Sequence, residues 1–434
     1  MTPLSPPSPD PAHPYDLAVV GGGVHGVMVA LEAARRGRSV VLLEAGRLGG
    51  GVTGNSLRIV HGGLRYLQSL DLKRHRESVA ERRWFFRHFP DLVVPLDCLM
   101  PLYNRGAKRR FTLGAALRLN DLLSCRRNAG VRGDRHLAGG RVLNAADTRA
   151  AFPGVRAEGL KGAALWRDGF MRDEPALLAA LVGWAVTAGA AVCEHTRVVG
   201  LDRLRGGAVT GVRSEGPGGP LTIPVRAVVN AAGPAAARVA AVLDPRGARR
   251  WPSRFSRLFV PSAAFNLLLD VDPPAPGHAL AVEPPARRGG GKAATYFLVP
   301  WVHEGRPRLM AGTRHVPLPA DHDPQRPARL PGAERDAFLA DLNAAVPGLN
   351  VTPARVLRTD GGYLPAAAAG VRDTAPRAAW LDHERPDLVS VVGNKYTTAR
   401  LTAERTLRRL WPELPGYASD AHRPPAPDPE GAAA

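Results

Sequence analysis

Apolar and polar positions follow two different periods near the start of the chain. Residues 17 to 20 form a short apolar run, and small and apolar residues then recur at helical spacing over residues 24 to 36. Gly37 ends this stretch, and residues 39 to 43 form a second apolar run that closes at Glu44. Short apolar runs predict buried strands, and the 3.6-residue period predicts a helix. The order strand, glycine turn, helix, strand predicts the opening of a parallel α/β sheet.

The turn after the first strand carries Gly21-x-Gly23-x-x-Gly26, in which each glycine has its own task. Gly21 allows the tight turn, Gly23 lets the backbone approach a pyrophosphate, and Gly26 lets the helix pack close to the strand. The phosphates would meet the helix N-terminus, where free N–H groups and the helix dipole favour negative charge. Glu44 follows the second strand, where it could accept hydrogen bonds from ribose hydroxyls. The motif in this context predicts a dinucleotide site, with nicotinamide and flavin both open as the reactive ring.

Two distant segments have compositions suited to holding that ring. Residues 53 to 67 combine small hydroxylic residues, paired glycines and a His/Arg/Tyr set. Residues 388 to 392 predict a strand, residues 393 to 396 a turn, and a helix then runs from Thr397 to about Leu410. A helix N-terminus at this turn would favour the negative charge that develops on a reduced flavin.

The middle of the chain supplies further α/β elements. Residues 176 to 188 predict a helix, and residues 190 to 193 and 225 to 229 predict strands. A turn of small residues at 230 to 234 follows and would return the chain to the adenosine side of the site. We therefore expect an α/β fold in which a Rossmann-type dinucleotide-binding domain is interleaved with a mixed α+β substrate domain.

The expected domains are each built from separated stretches of chain. The dinucleotide-binding domain comprises residues 15–92, 172–236 and 355–412, and the substrate domain comprises residues 93–171 and 237–354. The Pro-rich residues 1–14 and the Pro- and Ala-rich residues 419–434 are expected to be disordered.

Composition narrows the class of protein. Of 434 residues, 45% are hydrophobic and 22% are charged, which is globular composition. The 47 glycines and 41 prolines predict many turns and argue against a helical bundle. The apolar runs are far shorter than the ~20 residues that cross a bilayer. No histidine or cysteine spacing fits a metal site, and no G-x-S-x-G indicates a serine hydrolase, so we expect no metal and no such nucleophile.

Charge and cysteine usage bear on partners and compartment. The 58 Lys and Arg against 39 Asp and Glu give a formal charge of +19, but the basic clusters lack the interleaved aromatic residues on which bases stack. We therefore expect no nucleic-acid partner, and at most peripheral contact with an anionic membrane surface.

Cys98, Cys125 and Cys193 are odd in number and widely separated, which is typical of a reducing compartment. Residues 1–14 lack the basic and apolar parts of an export signal, so we expect a cytoplasmic protein.

Three motifs together resemble the FAD-dependent glycerol-3-phosphate dehydrogenases, which belong to the D-amino-acid-oxidase-like flavoproteins. They are the N-terminal glycine motif, the heptapeptide His61-Gly62-Gly63-Leu64-Arg65-Tyr66-Leu67, and Gly393-x-Lys395-x-Thr397-Thr398-x-Arg400. The apolar run at 297 to 301, with its Pro300-Trp301, and the later Gly312-Thr313 also match that family. The resemblance implies a D-amino-acid-oxidase/glutathione-reductase-like fold and non-covalent FAD. It also implies hydride transfer to flavin from a CH–OH or CH–NH bond of a small polar substrate.

The resemblance also implies the residues of the site. The substrate would meet Arg65, Tyr66 and Lys395, and His61 would lie near the flavin, where it could take a hydroxyl proton or only position the ring. Lys395 could bind substrate, polarise the flavin or cap its turn. FAD would contact Gly21, Gly23, Val24, His25, Gly26, Glu44, Ala45, Thr53, Asn55, Ser56, His61, Gly62, Gly63, Ala232, Gly233, Gly393, Asn394, Lys395, Tyr396, Thr397 and Thr398.

Three departures from the family pattern concern the anionic group of the substrate. The segment Gly-Val-Arg-Pro-Leu reads Gly361-Gly362-Tyr363-Leu364-Pro365, a second phosphate-side arginine aligns with Leu381, and Gly-Thr-Thr-Asp reads Gly312-Thr313-Arg314-His315. An arginine fork supplies both charge and orientation at a phosphate site, so its replacement changes recognition. Arg314 and His315 could supply an anion contact instead or be surface loop residues, and Tyr363 could line the substrate cavity or pack beside it.

Three hypotheses of function follow. The first is a flavoenzyme that oxidises a small polar hydroxy or amino compound and passes electrons to oxygen, a quinone or another acceptor. The second is a glycerol-3-phosphate dehydrogenase in which Arg358, Arg372 or Arg377 supplies the phosphate contacts. The third is a protein that binds FAD without turnover. The chain also ends soon after the Thr397 helix, without the helical C-terminal domain of the longer dehydrogenases, so we expect no role of that domain here.

Overall fold

The computed structural model of this protein describes residues 13–103, 109–205, 207–285, 294–319, 321–324 and 326–414. Apart from His13 and Pro14, the two tails expected to be disordered lie outside the described residues.

The described chain contains both helices and strands. The helices are α1 (Val24–Ala34), α2 (Leu72–His88), α3 (Arg110–Leu123), α4 (Ala145–Ala151), α5 (Glu174–Thr187), α6 (Ala236–Leu243), α7 (Pro245–Arg250), α8 (Pro252–Ser256), α9 (Gly332–Ala345) and α10 (Ala399–Leu410). Short 3-10 helices span Val52–Gly54, Leu64–Ser69, Gly133–Arg135, Gly233–Ala235 and Pro353–Arg355.

The strands form three sheets. They are β1 (Leu17–Val20), β2 (Val40–Leu43), β3 (Ile59–Val60), β4 (Val93–Leu102), β5 (Arg141–Leu143), β6 (Gly162–Met171), β7 (Ala191–Cys193), β8 (Arg197–Arg203), β9 (Val209–Gly216), β10 (Gly219–Pro224), β11 (Val228–Asn230), β12 (Pro261–Leu269), β13 (His278–Val282), β14 (Tyr296–His303), β15 (Arg306–Pro317), β16 (Val356–Pro365), β17 (Ala379–Asp382) and β18 (Leu388–Val392).

The first sheet has the strand order β17-β18-β11-β1-β2-β7. All its strands run parallel except β17, which pairs antiparallel with β18 at one edge. Helices α1, α5 and α10 pack against one another over one face, and the antiparallel sheet β10-β9-β8 contributes to a core on the other. Because the strands are parallel, their carboxyl ends meet at one edge, where ligands of such sheets bind. This arrangement confirms the predicted α/β fold.

The predicted elements lie close to the observed ones. The strands at 17–20 and 388–392 have the predicted bounds, whereas α1 ends at Ala34, two residues early. The turn that follows α1 contains Gly37, whose φ of +75° is in the left-handed region that favours glycine. Helix α5 begins two residues earlier than predicted because Asp173 accepts a hydrogen bond from the Ala176 N–H and so caps it.

The second large sheet has the strand order β16-β12-β15-β14-β13-β4-β6-β3, with β5 also paired to β6. Its pairs are antiparallel except for β4 with β13. Two strands come from stretches that the sequence assigns to the other domain: β3 pairs with β6, and β16 pairs along the whole of β12. The chain therefore changes sheets after Pro365 rather than at residue 355, because backbone pairing extends β16 along its neighbour.

Helix α9 covers one face of this sheet. A buried ion network around Arg314 of β15 joins the two, because the guanidinium donates to Glu334 at 2.6 Å and to Asp341 at 3.1 Å, both on α9. The Tyr296 hydroxyl accepts from Arg314 at 2.9 Å and donates to Asp341. Arg314 lies on a strand with only 7% of its side chain exposed, so its interpretation as a surface loop residue is wrong.

None of the helices within the described ranges combines the length and apolar character that crossing a bilayer requires.

Replacing Arg314 with Met is expected to lower the free energy of unfolding by roughly 3–5 kcal/mol, because the buried Asp341 loses the positive charge of Arg314 and retains the neutral Tyr296 hydroxyl as a donor. The matched control is Arg358→Met, which breaks a pair with Asp360 in which the arginine side chain is 45% exposed. Such a pair contributes about 0–1 kcal/mol. Urea titration of both variants measures the two losses. Equal, small losses would show that the Arg314 network does not hold α9 to the sheet.

Candidate active site

The carboxyl ends of β1 and β11 meet beside the first turn of α1. Gly21 has a φ of +109°, and its N–H donates to the Leu43 carbonyl at 2.9 Å. A Cβ atom on Gly21 would lie only 2.7 Å from the Ala231 carbonyl oxygen, so the two backbones approach this closely only with glycine. Ala232 and Gly233 follow directly and therefore lie at the same strand edge as the glycine motif.

The N-terminus of α1 is open to an anion. Any side chain at Gly26 would overlap the Gly21 carbonyl, so the first turn of the helix lies directly on the strand. Gly23 occupies the N-cap position, and the first turn contains no acidic side chain. The Thr53 hydroxyl accepts from the Val24 N–H at 3.1 Å, which brings the 53–67 segment to the helix end. A pyrophosphate fits such a helix N-terminus.

The carboxylate of Glu44 faces the glycine turn. It accepts from the Gly22 N–H at 2.6 Å and from the Gly46 N–H at 2.7 Å, while the intervening Ala45 is exposed. These two bonds fix the carboxylate at the end of β2. The ribose contact expected of Glu44 stays a prediction that relies on its remaining lone pairs.

His25 carries an unpaired buried polar atom at the junction of α1 and the C-terminal turn. Its Nε2 atom has no hydrogen-bond partner, and its ring lies directly against Gly393, where any side chain would overlap it. Burial lowers the pKa of His25 to about 4, so the imidazole is neutral near pH 7. Buried polar atoms normally have partners, so an unpaired one beside an open helix N-terminus fits a polar ligand such as FAD.

The segment around Asn55 links the two large sheets. The Asn55 side chain donates to the Gly361 carbonyl at 2.7 Å, and the Asn266 side chain donates to the Asn55 carbonyl at 3.0 Å. The Ser56 hydroxyl accepts from the Arg58 N–H at 3.1 Å. These bonds fasten a segment that begins at the α1 N-terminus to β12 and β16 of the second sheet.

The C-terminal turn meets the heptapeptide through Thr397, whose hydroxyl accepts from the His61 N–H at 3.2 Å. Thr398 is the N-cap of α10, but its side chain makes no capping bond. The Asn394 side chain donates to the Ala375 carbonyl, and Tyr396 packs its ring 6.1 Å from that of Phe85. The turn is thus fixed by its own side chains, and its contact with the heptapeptide is made by the Thr397 hydroxyl.

A buried carboxylate, Asp168 of β6, organises the heptapeptide. Its Oδ1 atom accepts from the Gly62 N–H at 2.6 Å and from Arg82 at 2.8 Å. Its Oδ2 atom accepts from the Trp166 indole at 3.1 Å and lies 3.5 Å from Nδ1 of His61. Burial alone would raise the pKa of Asp168, but the His61 contact and the Arg82 charge hold that pKa well below its usual range. Asp168 is therefore ionised.

Three cations surround the ring of Tyr66, which is buried. The Lys395 ammonium lies 4.6 Å from the ring centroid, and the Arg74 and Arg65 guanidinium carbons lie 4.3 Å and 5.4 Å from it. Burial and the positive charge of Arg65 lower the pKa of Lys395 to about 7. The sequence-predicted Arg65, Tyr66 and Lys395 are therefore brought together, and this positive cluster is suited to an anion.

The departures from the family pattern fall at different places. Tyr363 points to the face of β16 where Phe265 and Leu381 pack, and its hydroxyl lies 2.9 Å from Nε2 of His322. Leu381 is buried in β17, and Arg314 is held by α9.

Of the described ranges, none contains a cluster of three or more His, Cys, Asp or Glu side chains that could hold a metal.

Two alternative anion contacts are also located. Arg358 pairs with Asp360 at 2.8 Å, which engages its charge on β16. Arg377 lies 3.5 Å from Asp71, which in turn pairs with Arg74 beside the Tyr66 ring.

Sequence reasoning missed Asp168, Arg82 and Asn266. One signal was available for Asp168, because it interrupts the largely apolar stretch of β6, and a charge within a buried strand must be paired. Asn266 likewise interrupts an apolar stretch, that of β12. This signal is weaker, because burying an amide costs less free energy than burying a carboxylate.

Comparisons with known proteins agree with this geometry. Residues 16–409 match the family described as DAO, FAD dependent oxidoreductase. The chain is 28% identical over 410 residues to a glycerol-3-phosphate dehydrogenase of Synechocystis, covering 92% of this chain and 70% of that protein. It is 32% identical over 410 residues to glycerol-3-phosphate dehydrogenase 1 of Mycobacterium tuberculosis, covering 91% and 72%.

A solved structure supports the same fold. The glycerol-3-phosphate dehydrogenase of Bacillus halodurans complexed with FAD superposes with a TM-score of 0.63 at 22% identity, covering 92% of this chain and 65% of that one. This chain spans between 38% and 72% of the lengths of the curated relatives that it matches. The chain belongs to the DAO family of FAD-dependent oxidoreductases, and its cofactor is FAD.

Proposed function

We propose that this chain oxidises a small anionic hydroxy compound at its CH–OH bond, and that Arg65 and Lys395 hold the anionic group. The observation that carries the proposal is the cluster of cations around the Tyr66 ring, next to the turn that begins α10. FAD supplies the two-electron acceptor for the hydride when it is bound. The relatives named glycerol-3-phosphate dehydrogenase support a hydroxyl rather than an amine as the oxidised group.

The electrostatics of the cluster favour an anionic ligand. Arg65 and Lys395 come from different elements, and burial, followed by repulsion from the positive charge of Arg65, lowers the pKa of Lys395. An anion between them would relieve this repulsion and restore the charged form of the amine. Arg65 is exposed and Lys395 half-buried, so a ligand would reach both.

The proposed chemistry separates a proton from a hydride. The substrate hydroxyl would give its proton to His61. The carbon that bears this hydroxyl would lose a hydride to FAD, and the product would be a carbonyl compound. His61 lies next to the turn that carries Thr397, and about half of its side chain (51%) is exposed. It can therefore both meet a ligand and remain oriented by the protein.

Glycerol 3-phosphate itself is the second candidate substrate. One observation favours it beyond the names of the relatives: Arg377 lies 3.5 Å from Asp71, on the side of Tyr66 occupied by Arg74. A phosphate that displaces Asp71 could recruit this additional arginine. The family pattern has phosphate-binding arginines at the positions that Tyr363 and Leu381 occupy in this chain. Arg377 would then bind the phosphate in their place.

We also infer that the protein acts in the cytoplasm, with at most peripheral membrane contact. Cys98, Cys125 and Cys193 are all free thiols, which suits a reducing compartment. Oxygen, a quinone or another acceptor would then reoxidise the flavin.

Anaerobic mixing of the FAD-loaded protein with a substrate panel tests the reaction. We expect small phosphorylated or carboxylated hydroxy compounds to bleach the flavin, and uncharged glycerol not to. Bleaching by glycerol 3-phosphate would favour the second candidate. If hydroxy and amino compounds all leave the flavin oxidised while some of them shift its spectrum, the protein binds FAD without turnover and the proposed reaction is wrong.

Arg65→Ala is expected to raise KM by roughly 10- to 100-fold, because a charge-assisted hydrogen bond contributes about 1.5–3 kcal/mol. Flavin content should not change, since the guanidinium faces the Tyr66 cluster. Arg76→Ala, at an exposed position on α2, is the matched control and should keep the wild-type KM. Steady-state kinetics and the flavin absorbance ratio measure both effects. An unchanged KM in Arg65→Ala removes this residue from the substrate site.

Binding of an anionic substrate analogue should weaken as the pH rises through about 7, because Lys395 loses its proton there. The amine is charged below that pH and neutral above it, and the weakening should not exceed about tenfold per pH unit for one proton. Lys395→Arg keeps the charge at all these pH values and should flatten the profile. Flavin-perturbation titrations between pH 6 and 8.5 provide the comparison. Identical profiles in the two proteins would exclude Lys395 as the anion contact.

A further inference from the structure

We propose that Asp168 is a positioning residue for this reaction: it holds His61 in the tautomer whose Nδ1 atom carries the hydrogen and whose Nε2 atom accepts the substrate proton. The inference rests on the proposed function, in which His61 takes the hydroxyl proton. It assigns a role to a carboxylate that lies behind the heptapeptide and does not itself touch the substrate.

The surroundings of Asp168 favour one tautomer of His61. Only 6% of its side chain is exposed, and its two oxygens face the Gly62 N–H, Arg82 and the Trp166 indole, all of which are donors. The remaining neighbour is Nδ1 of His61, 3.5 Å from Oδ2. An ionised carboxylate only accepts hydrogen bonds, so a neutral imidazole facing it must carry its hydrogen on Nδ1. Nε2 is then the acceptor.

The same carboxylate fixes the direction of the ring. Its Oδ1 atom holds the backbone of Gly62, the residue that follows His61, while Oδ2 faces the His61 ring itself. The Thr397 hydroxyl holds the His61 N–H at 3.2 Å, and the ring of Phe297 meets the imidazole edge-on at 6.0 Å between centroids. The two backbone bonds fix the position of the residue, Asp168 and Phe297 contact the ring, and half of the side chain remains accessible for a ligand.

The charges around Asp168 suit a group that receives a proton. Arg82 from α2 balances the carboxylate while His61 is neutral. The Cys98 thiol of β4 is also close, and burial raises its pKa well above the usual value, so it stays neutral. Two further charges lie near this group: Asp97 acts on the Cys98 thiol, and Arg127 acts on the Arg82 guanidinium. When His61 takes a proton, the carboxylate 3.5 Å away stabilises the resulting cation.

A second His–Asp pair provides an internal control. Nδ1 of His383 lies 2.9 Å from Asp244, and the other ring nitrogen lies 3.0 Å from the Ser390 hydroxyl. The His383 side chain is buried and Asp244 is half-buried at the end of α6, and none of the residues proposed to bind FAD or substrate takes part in this pair. Asp244→Asn thus removes the same kind of contact elsewhere in the same chain.

The tautomer can be observed directly by NMR on the FAD-loaded protein containing 15N-labelled histidine. We expect the His61 signals, assigned by their loss in His61→Gln, to show a protonated Nδ1 and an unprotonated Nε2. Asp168→Asn should shift them toward the other tautomer, whereas Asp244→Asn should change only the His383 signals. A wild-type His61 with its hydrogen on Nε2 overturns the proposal, and this result does not depend on whether Asp168→Asn folds.

Kinetics distinguish positioning from a purely structural role. Asp168→Asn should lower kcat by about 100-fold or more with a smaller change in KM, since a positioned base contributes roughly 10²–10⁴-fold. Asp244→Asn should keep the wild-type kcat.

A double-mutant cycle completes the test. In the His61→Gln background, Asp168→Asn should cost little additional activity, because a positioning residue acts through its partner. An equal loss in both backgrounds would show that Asp168 acts independently of His61 and would refute the inference. If no substrate bleaches the wild-type flavin, the proposed function fails instead, and the NMR result then stands on its own.

Discussion

The heptapeptide that begins at His61 is held between the two large sheets by its own backbone, and the rest of the site depends on this placement. The His61 N–H reaches Thr397 at the C-terminal turn, and the Gly62 N–H reaches the buried Asp168 carboxylate. Gly62 tolerates no side chain because the Arg82 guanidinium lies against it. Together with the bonds of Asn55 to β12 and β16, these contacts fix the path of the segment between the α1 N-terminus and the second sheet.

Two electrostatic regions of opposite character follow from that placement. Behind the heptapeptide, Asp168 is ionised and surrounded by donors, so it orients groups rather than reacting. In front of it, Arg65 and Lys395 face the same aromatic ring and repel each other. A fixed acceptor behind a histidine and cations beside it suit the reaction proposed above, in which the histidine takes a proton from an anionic substrate.

Much of this organisation could be predicted from the sequence because its signals are local. The glycine turn, the strand at 388–392 and the helix after Thr397 each depend on a short apolar or small-residue pattern. The remaining features depend on pairings between distant residues. Gly62 and Asp168 are 106 residues apart, and Asn55 and Asn266 are 211 apart, so no local period indicates that they meet.

The direction of side chains on β16 illustrates the same limit. Successive side chains of a strand face opposite sides of the sheet. An error of one residue in the predicted register therefore places every side chain on the wrong side. The sequence therefore left open whether Tyr363 lines the substrate cavity, and strand pairing directs it instead toward Phe265 and Leu381. Similarly, the role of Arg314 is decided by two acidic residues of α9, which the local sequence around β15 does not reveal.

Hydrogen exchange with and without FAD tests most directly whether the distant segments form one cofactor site. The structure predicts that FAD slows backbone exchange together in residues 21–26, in residues 53–63 and in residues 393–398. Protection limited to the glycine turn and the strand that follows it would contradict this account, because it would mean that the cofactor is held by the first βαβ unit alone.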